Sequence, residues 1–138
     1  MTDISTLQLP DDHVIDTYRH GRDLYIIYVR TILRIPNYEG GCRKPEEAHT
    51  LEMQDYYSYE YPILTTDTDG RLWCYIGGRI FRWEDSKSRW IEMARFHADS
   101  LVEVTDSEMV FRNHLQQDEN PHGTKTFNYR TCTITQNN

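Results

Sequence analysis

The run Arg71-Leu72-Trp73-Cys74-Tyr75-Ile76, Gly77-Gly78, Arg79-Ile80-Phe81-Arg82-Trp83-Glu84 constrains this chain more than any other part of it. Two stretches rich in aromatic and β-branched residues stand on either side of a glycine pair. A two-residue hairpin turn of type I′ needs positive φ at both central positions, and glycine adopts it without steric cost. The spacing pairs Ile76 with Arg79, Cys74 with Phe81 and Leu72 with Trp83, and sets Trp73 opposite Arg82. Alternation then places Leu72, Cys74, Ile76, Phe81 and Trp83 on an expected core face. Arg71, Trp73, Tyr75, Ile80, Arg82 and Glu84 share the other face, which their charges mark as the wetter one.

Further strand-like runs follow the spacing of an all-β domain, at residues 14–19, 24–35, 61–66, 89–94, 101–105, 108–113 and 126–135. Residues 20–23 read as a hairpin connection. Residues 24–35 read as one long strand with Tyr25, Ile27, Val29, Thr31, Leu33 and Ile35 on its apolar face, stopped by Pro36-Asn37. Pro45 stands at a first helical position with acids just behind it, which predicts one short helix near residues 45–54. Asp67-Thr68-Asp69-Gly70 is a turn by composition, residues 116–123 a polar surface loop and residues 136–138 a frayed tail. The expectation is a single, mainly β domain over residues 1–138, with a β-rich α+β arrangement as the variant. Its strands form one antiparallel meander closed as a small barrel or sandwich. The stretch 71–95 (strand, Gly-Gly, strand, turn, strand with Trp90) resembles one blade of a β-propeller, which would imply a blade-repeat fold. The chain is too short for four blades and repeats the motif nowhere, so the barrel or sandwich stands as the expectation.

Charge carries the functional reading. The formal net charge is −7, and all of it lies in residues 1–70, where 13 acids face six Lys or Arg; residues 71–138 hold nine of each. Between Glu46 and Asp69 there is no Lys or Arg, and Tyr56, Tyr57, Tyr59 and Tyr61 are embedded among the acids. Such a field repels phosphates and attracts basic partners. Tyrosine beside carboxylate is also the composition of interface hot spots. The expected partner-binding residues are Glu46, Glu47, Glu52, Asp55, Tyr56, Tyr59, Glu60, Asp67 and Asp69. The expected function is a non-enzymatic acidic protein that neutralises or regulates a basic partner protein, with no nucleic-acid partner. Immunity proteins and antitoxins against nuclease toxins are the analogy. The alternative is a barrel that binds a small molecule or nucleotide, with catalysis open to it, in a pocket lined by Tyr25, Tyr28, Trp73, Tyr75 and Arg82 plus a histidine.

Cys42, Cys74 and Cys132 are odd in number, far apart and without a CxxC pair, which reads as free thiols in a cytoplasmic protein. No apolar run of membrane-spanning length occurs, and residues 1–5 lack the pattern of a secretory signal. The six histidines are dispersed and form no HExxH, so neither a metal nor a cofactor is expected. Asp67-Thr68-Asp69-Gly70 opens like a calcium loop, but the positions that need Gly and Glu hold Leu72 and Gly78. The serines lie in no GxSxG elbow, and no residue is assigned a catalytic role. His97-Ala98-Asp99 places a carboxylate two residues from a histidine, an adjacency that chance readily supplies.

Overall fold

The structure, a computed structural model, describes residues 14–28, 32–43, 46–49, 62–87 and 89–137, the segment 46–49 by its backbone alone. The described residues are mainly β, in three four-stranded antiparallel sheets. Each sheet is a meander in chain order: β1 to β4, β5 to β8, and β9 to β12. Their only helical turns are two short 3-10 pieces, Tyr38–Gly40 and Asp85–Lys87. The chain divides into two compact units, Met1–Pro62 and Ile63–Asn138.

The first unit holds β1 (Asp16–His20), β2 (Asp23–Ile27), β3 (Ile32–Ile35) and β4 (Glu46–His49). The expected long strand over residues 24–35 is a hairpin: Leu24 pairs with Ile35 and Ile27 with Ile32. Nothing in Tyr28-Val29-Arg30-Thr31 marks a turn by composition, and the apolar period runs on through the reversal, so local pattern alone reads as one strand. Folding back lets both halves bury their apolar residues. Leu24, Ile26, Tyr28, Leu33, Ile35 and Tyr38 form this unit's core. The expected helix near residues 45–54 is corrected as well. Glu46–His49 is strand β4, paired to β3 through Leu33↔Glu47 and Arg34↔Glu46, while residues 50–54 lie outside the described residues. A proline and three acids are a weak helix signal, and the open edge of β3 offers a full ladder of hydrogen bonds against it.

The second unit holds β5 (Ile63–Thr66), β6 (Leu72–Ile76), β7 (Arg79–Glu84) and β8 (Arg89–Arg95) in one sheet. Its other sheet has β9 (Ser100–Val104), β10 (Glu108–Arg112), β11 (Thr124–Asn128) and β12 (Thr133–Asn137). The Gly-Gly hairpin has the expected register: Trp73↔Arg82, Cys74↔Phe81, Tyr75↔Ile80 and Ile76↔Arg79, with φ of 58° at Gly77 and 78° at Gly78. Its faces are not as expected. Trp73, Tyr75 and Ile80 join Phe96, Met109, Phe111 and Phe127 in the core shared by the two sheets, whereas Phe81 and Trp83 are only half-buried. β6 is buried along its whole length, so the sheet is covered on both faces there. Arg82 stays on the Trp73 face because its long stem lies along the apolar surface. Its guanidinium sits 5.8 Å from the Trp73 ring centroid and 3.6 Å from the Glu84 carboxylate.

The expected strand over residues 126–135 is also a hairpin, β11 and β12. Asn128 Oδ1 accepts the backbone N–H groups of Arg130 and Thr131 and turns the chain there. Of the residues expected to fray, Gln136 and Asn137 are the end of β12, where Asn137 Nδ2 donates to the hydroxyls of Thr124 and Thr126, while Asn138 lies outside the described residues.

Face-to-face packing of these two sheets is sandwich-like, and among the described residues no sheet closes into a barrel.

Candidate functional site

A gathering of polar side chains in the second unit lies on the β8–β9 connection and the β10–β11 loop. Tyr75, rising from β6, fastens the first of these. Its hydroxyl donates to the Phe96 carbonyl and accepts the Ala98 N–H, both at 2.8 Å. Asp99 N–H then donates to the Arg112 carbonyl, which ties the connection to the end of β10. The β10–β11 loop is closed by Asn113 N–H on the Gly123 carbonyl and by Gly123 N–H on the Asn120 carbonyl. Gly123 is required at that closure. A Cβ there would lie 2.8 Å from the Asn137 carbonyl oxygen, a backbone atom with no room to retreat.

Within this frame the charges are spent on one another. Lys125 Nζ donates to the His97 carbonyl at 2.8 Å and to Asp118 Oδ1. The other Asp118 oxygen accepts the His114 N–H at 2.6 Å. Burial pushes the Asp118 carboxyl upward. The Lys125 hydrogen bond, the His114 N–H and the charges of Lys125 and His97 outweigh it and hold the group below the ordinary carboxylate range. His114 Nδ1 accepts the Gln116 N–H at 3.1 Å, so the ring proton belongs on Nε2, which lies 3.6 Å from Asp99 Oδ1. Asp99 Oδ2 accepts the Leu115 N–H. Beside this network runs a cleft of about 320 Å³ lined by Asp99, Ser100, Arg112, Asn113, Leu115, Pro121, His122 and Gly123. Two of its groups are not spent. Asn113, 1% exposed, donates through Nδ2 to the Asn120 carbonyl at 2.6 Å, yet its buried Oδ1 has no hydrogen-bond partner. Arg112 is exposed and makes no ion pair with any described residue. The cleft offers an exposed guanidinium, while Asn113 Oδ1 is closed off from solvent.

The residues expected to contact a partner fall elsewhere. Glu46 and Glu47 are on β4, their side chains outside the described residues, as are Glu52, Asp55, Tyr56, Tyr59 and Glu60 entirely. Asp67 is 5% exposed, with its carboxylate turned inward to the Trp73 indole N–H and the backbone of Asp69 and Arg71. Asp69 is at the surface, 2.9 Å from the Arg130 guanidinium, whose hydrogen bond and charge hold its carboxyl below the ordinary range. Of the residues expected to line a pocket, Tyr25 and Tyr28 are packed inside the first unit, and Trp73 and Tyr75 inside the second. Arg82 is half-buried over Trp73. Sequence reasoning passed over the loop-end cluster. It noticed His97-Ala98-Asp99, but the histidine that meets Asp99 is His114, brought there by the β9–β10 hairpin.

No protein-family model matches this sequence, and no curated protein is similar to it. Among solved structures, the chain is similar to the extracellular domain of a protein described as a one component system, BT4673, from B. thetaiotaomicron. The TM-score is 0.64 at 17% identity. The match covers 91% of this chain and 16% of that one. The likeness is one of fold. This chain spans only about a sixth of that structure's length. Among the described residues, no helix is long and apolar enough to cross a membrane.

Proposed function

We propose that the protein is a non-enzymatic binding protein whose acidic first half engages a basic partner protein, in the manner of immunity proteins and antitoxins. The observation that carries this reading is the distribution of charge: the whole net −7 lies in residues 1–70, and the stretch from Glu46 to Asp69 has no Lys or Arg. The burial of Asp67 takes that residue out of the contact set. Glu46, Glu47, Glu52, Asp55, Tyr56, Tyr59, Glu60 and Asp69 remain in it. The loop-end cluster supports a binding role over a chemical one, because Asp99, His114, Asp118 and Lys125 are engaged with one another and lock the loops.

The test replaces Glu52, Asp55 and Glu60 by Lys and measures association with the captured partner at several salt concentrations. Close charge pairs at an interface are worth about 1.5–7 kcal/mol each, whereas exposed charges add little to folding stability. Binding should weaken by at least about 100-fold with the circular dichroism spectrum and Tm unchanged, and wild-type association should slow as salt rises. Undiminished binding by the triple variant, or loss of its fold, would overturn the reading.

We place the protein in the cytoplasm. Its three cysteines are unlinked, which suits a reducing compartment. The structural neighbour is described as an extracellular domain, and at 17% identity it bears on the fold. Alkylation of thiols in intact cells reads the compartment directly. Cys42 and Cys132 should be trapped reduced, while Cys74 should stay unmodified until the protein is denatured, because full burial pushes its thiol pKa far upward. A disulfide in native material would reverse the assignment.

A further inference from the structure

We propose that the outer edge of β12 is an interaction surface whose partner is the same edge of a second copy of this chain, the two strands pairing antiparallel across a two-fold axis. This inference does not rest on the reading of the acidic stretch. A strand at a sheet edge carries a row of unpaired N–H and C=O groups, and folded proteins ordinarily blunt it with charge, proline, a bulge or a covering segment. Among the described residues, five of the six edge strands follow that rule. β1 carries Asp16 and Arg19, and β4 carries Glu46 and Glu47. β8 carries Arg89, Glu92 and Arg95, β9 carries Glu103, and the ladder of each is broken by a register shift. β5 follows Pro62 and has no exposed residue. β12 is the exception. Thr133-Ile134-Thr135-Gln136-Asn137 holds no charge, proline or glycine, its register with β11 is unbroken, and four of its five residues are exposed.

The charge pattern selects a second copy as the occupant. Whatever completes this edge must bring an equally uncovered strand, and two β12 edges placed antiparallel satisfy one another by symmetry. No register sets like charges opposite, because β12 has none. Residues 71–138 hold nine acids and nine Lys or Arg, so the part of the chain that bears the edge adds no net repulsion of its own. Ile134, 40% exposed, stands opposite the buried Phe127, at the open margin of the core-facing side of the sheet. A pairing centred on the strand sets the two Ile134 side chains opposite or diagonal to one another on one face, which removes apolar surface from water. The edge is fixed before any partner arrives. Gln136 Nε2 donates to the Thr124 carbonyl and Asn137 Nδ2 to the hydroxyls of Thr124 and Thr126, so both side chains turn back to β11. Little ordering cost is left to association. A ladder of five residues is a small contact, and the dimer belongs with weak, reversible ones.

The experiment follows the full chain by sedimentation velocity up to about 1 mM protein, at about 50 and about 500 mM NaCl. A monomer–dimer equilibrium is expected, tighter at the higher salt because two chains of net charge −7 then repel less. That trend is the reverse of the one expected for binding through the acidic stretch. Amide hydrogen exchange of Thr133–Asn137 should slow as protein concentration rises. Ile134→Lys and Ile134→Glu should each raise the dimer Kd at least about tenfold, since a like charge then faces its own copy. An equimolar mixture of the two variants should recover the dimer, the charges now being opposite. Thr135→Lys, at another exposed position of the strand, gives the same reading should either substitution at 134 disturb the fold. Glu52→Lys/Asp55→Lys/Glu60→Lys should dimerise at least as tightly as wild type, so failure of the acidic-surface reading leaves this one standing. A monomer throughout the concentration range would overturn the proposal. So would a dimer indifferent to the β12 substitutions, a mixture that stays monomeric, or assemblies that grow beyond two copies, because a two-fold pairing of edges closes on itself.

Discussion

Trp73→Ala should destabilise the protein by about 3–5 kcal/mol, the usual cost of deleting a large aromatic side chain from a core. Trp73 is 0% exposed and stands where the two sheets of the second unit meet. Its ring is edge-on to Phe127 at 5.6 Å, tilted against Tyr129 at 6.1 Å and covered by the Arg82 guanidinium at 5.8 Å. Truncation to alanine leaves a void between sheets that are tied into their own ladders and so cannot close freely upon it. Typical domains are stable by about 5–15 kcal/mol, so the loss consumes much of the margin. Guanidinium denaturation followed by circular dichroism at 218 nm, where a strand signal dominates, gives the measurement. A midpoint shift worth under about 1 kcal/mol at constant slope would show that Trp73 is not the pillar of that core.

Asp67→Ala should cost about 2–4 kcal/mol, because one buried carboxylate closes three hydrogen bonds at once. Oδ1 accepts the N–H groups of Asp69 at 2.8 Å and Arg71 at 3.0 Å, and Oδ2 accepts the Trp73 indole N–H at 2.8 Å. Removing it orphans a buried indole donor and loosens the turn that joins β5 to β6. Asp67→Asn is the sharper version. All three partners are donors, and an amide presents an NH2 group to at least one of them. The near-isosteric change should therefore cost more than its volume suggests. In a double-mutant cycle with Trp73→Phe, which keeps an aromatic six-membered ring and drops the pyrrole ring with its N–H, part of the Asn penalty should vanish. Full additivity of the two substitutions would mean that the carboxylate and the indole are not energetically coupled.

The Asp67 result also explains how an acidic residue can mislead. Asp67-Thr68-Asp69-Gly70 looks like solvated charge when read along the chain, and Asp69 is at the surface, paired to Arg130. Two positions earlier the same residue type is turned inward, because the turn and the indole together supply enough donors to hold a charge away from water. Donor count at a site is a property of the folded neighbourhood, and composition does not report it.

What the sequence determined by itself was the class of the fold, the Gly-Gly hairpin and that hairpin's register. Each follows from short-range physics: alternation along a strand, and positive φ at two consecutive glycines. The turn at Asp67–Gly70 and the polar loop before β11 were legible for the same reason. Tertiary structure decided where the chain reverses inside the runs 24–35 and 126–135, since neither holds Gly or Pro to mark the turn and in the first a period of two passes unbroken through it. It decided that Glu46–His49 is a strand, because the edge of β3 was there to receive it. It decided which face of β6 meets the other sheet. Arg82 and Glu84 made the Trp73 face look wet, yet a long side chain can carry its charge outward over an aromatic ring and leave the ring buried. The candidate cleft is wholly of this second kind. Asp99, the adjacent Arg112 and Asn113, and Gly123 stand on successive segments and meet because β9, β10 and β11 pair antiparallel. Alternation marks those strands but does not say which connection folds against which.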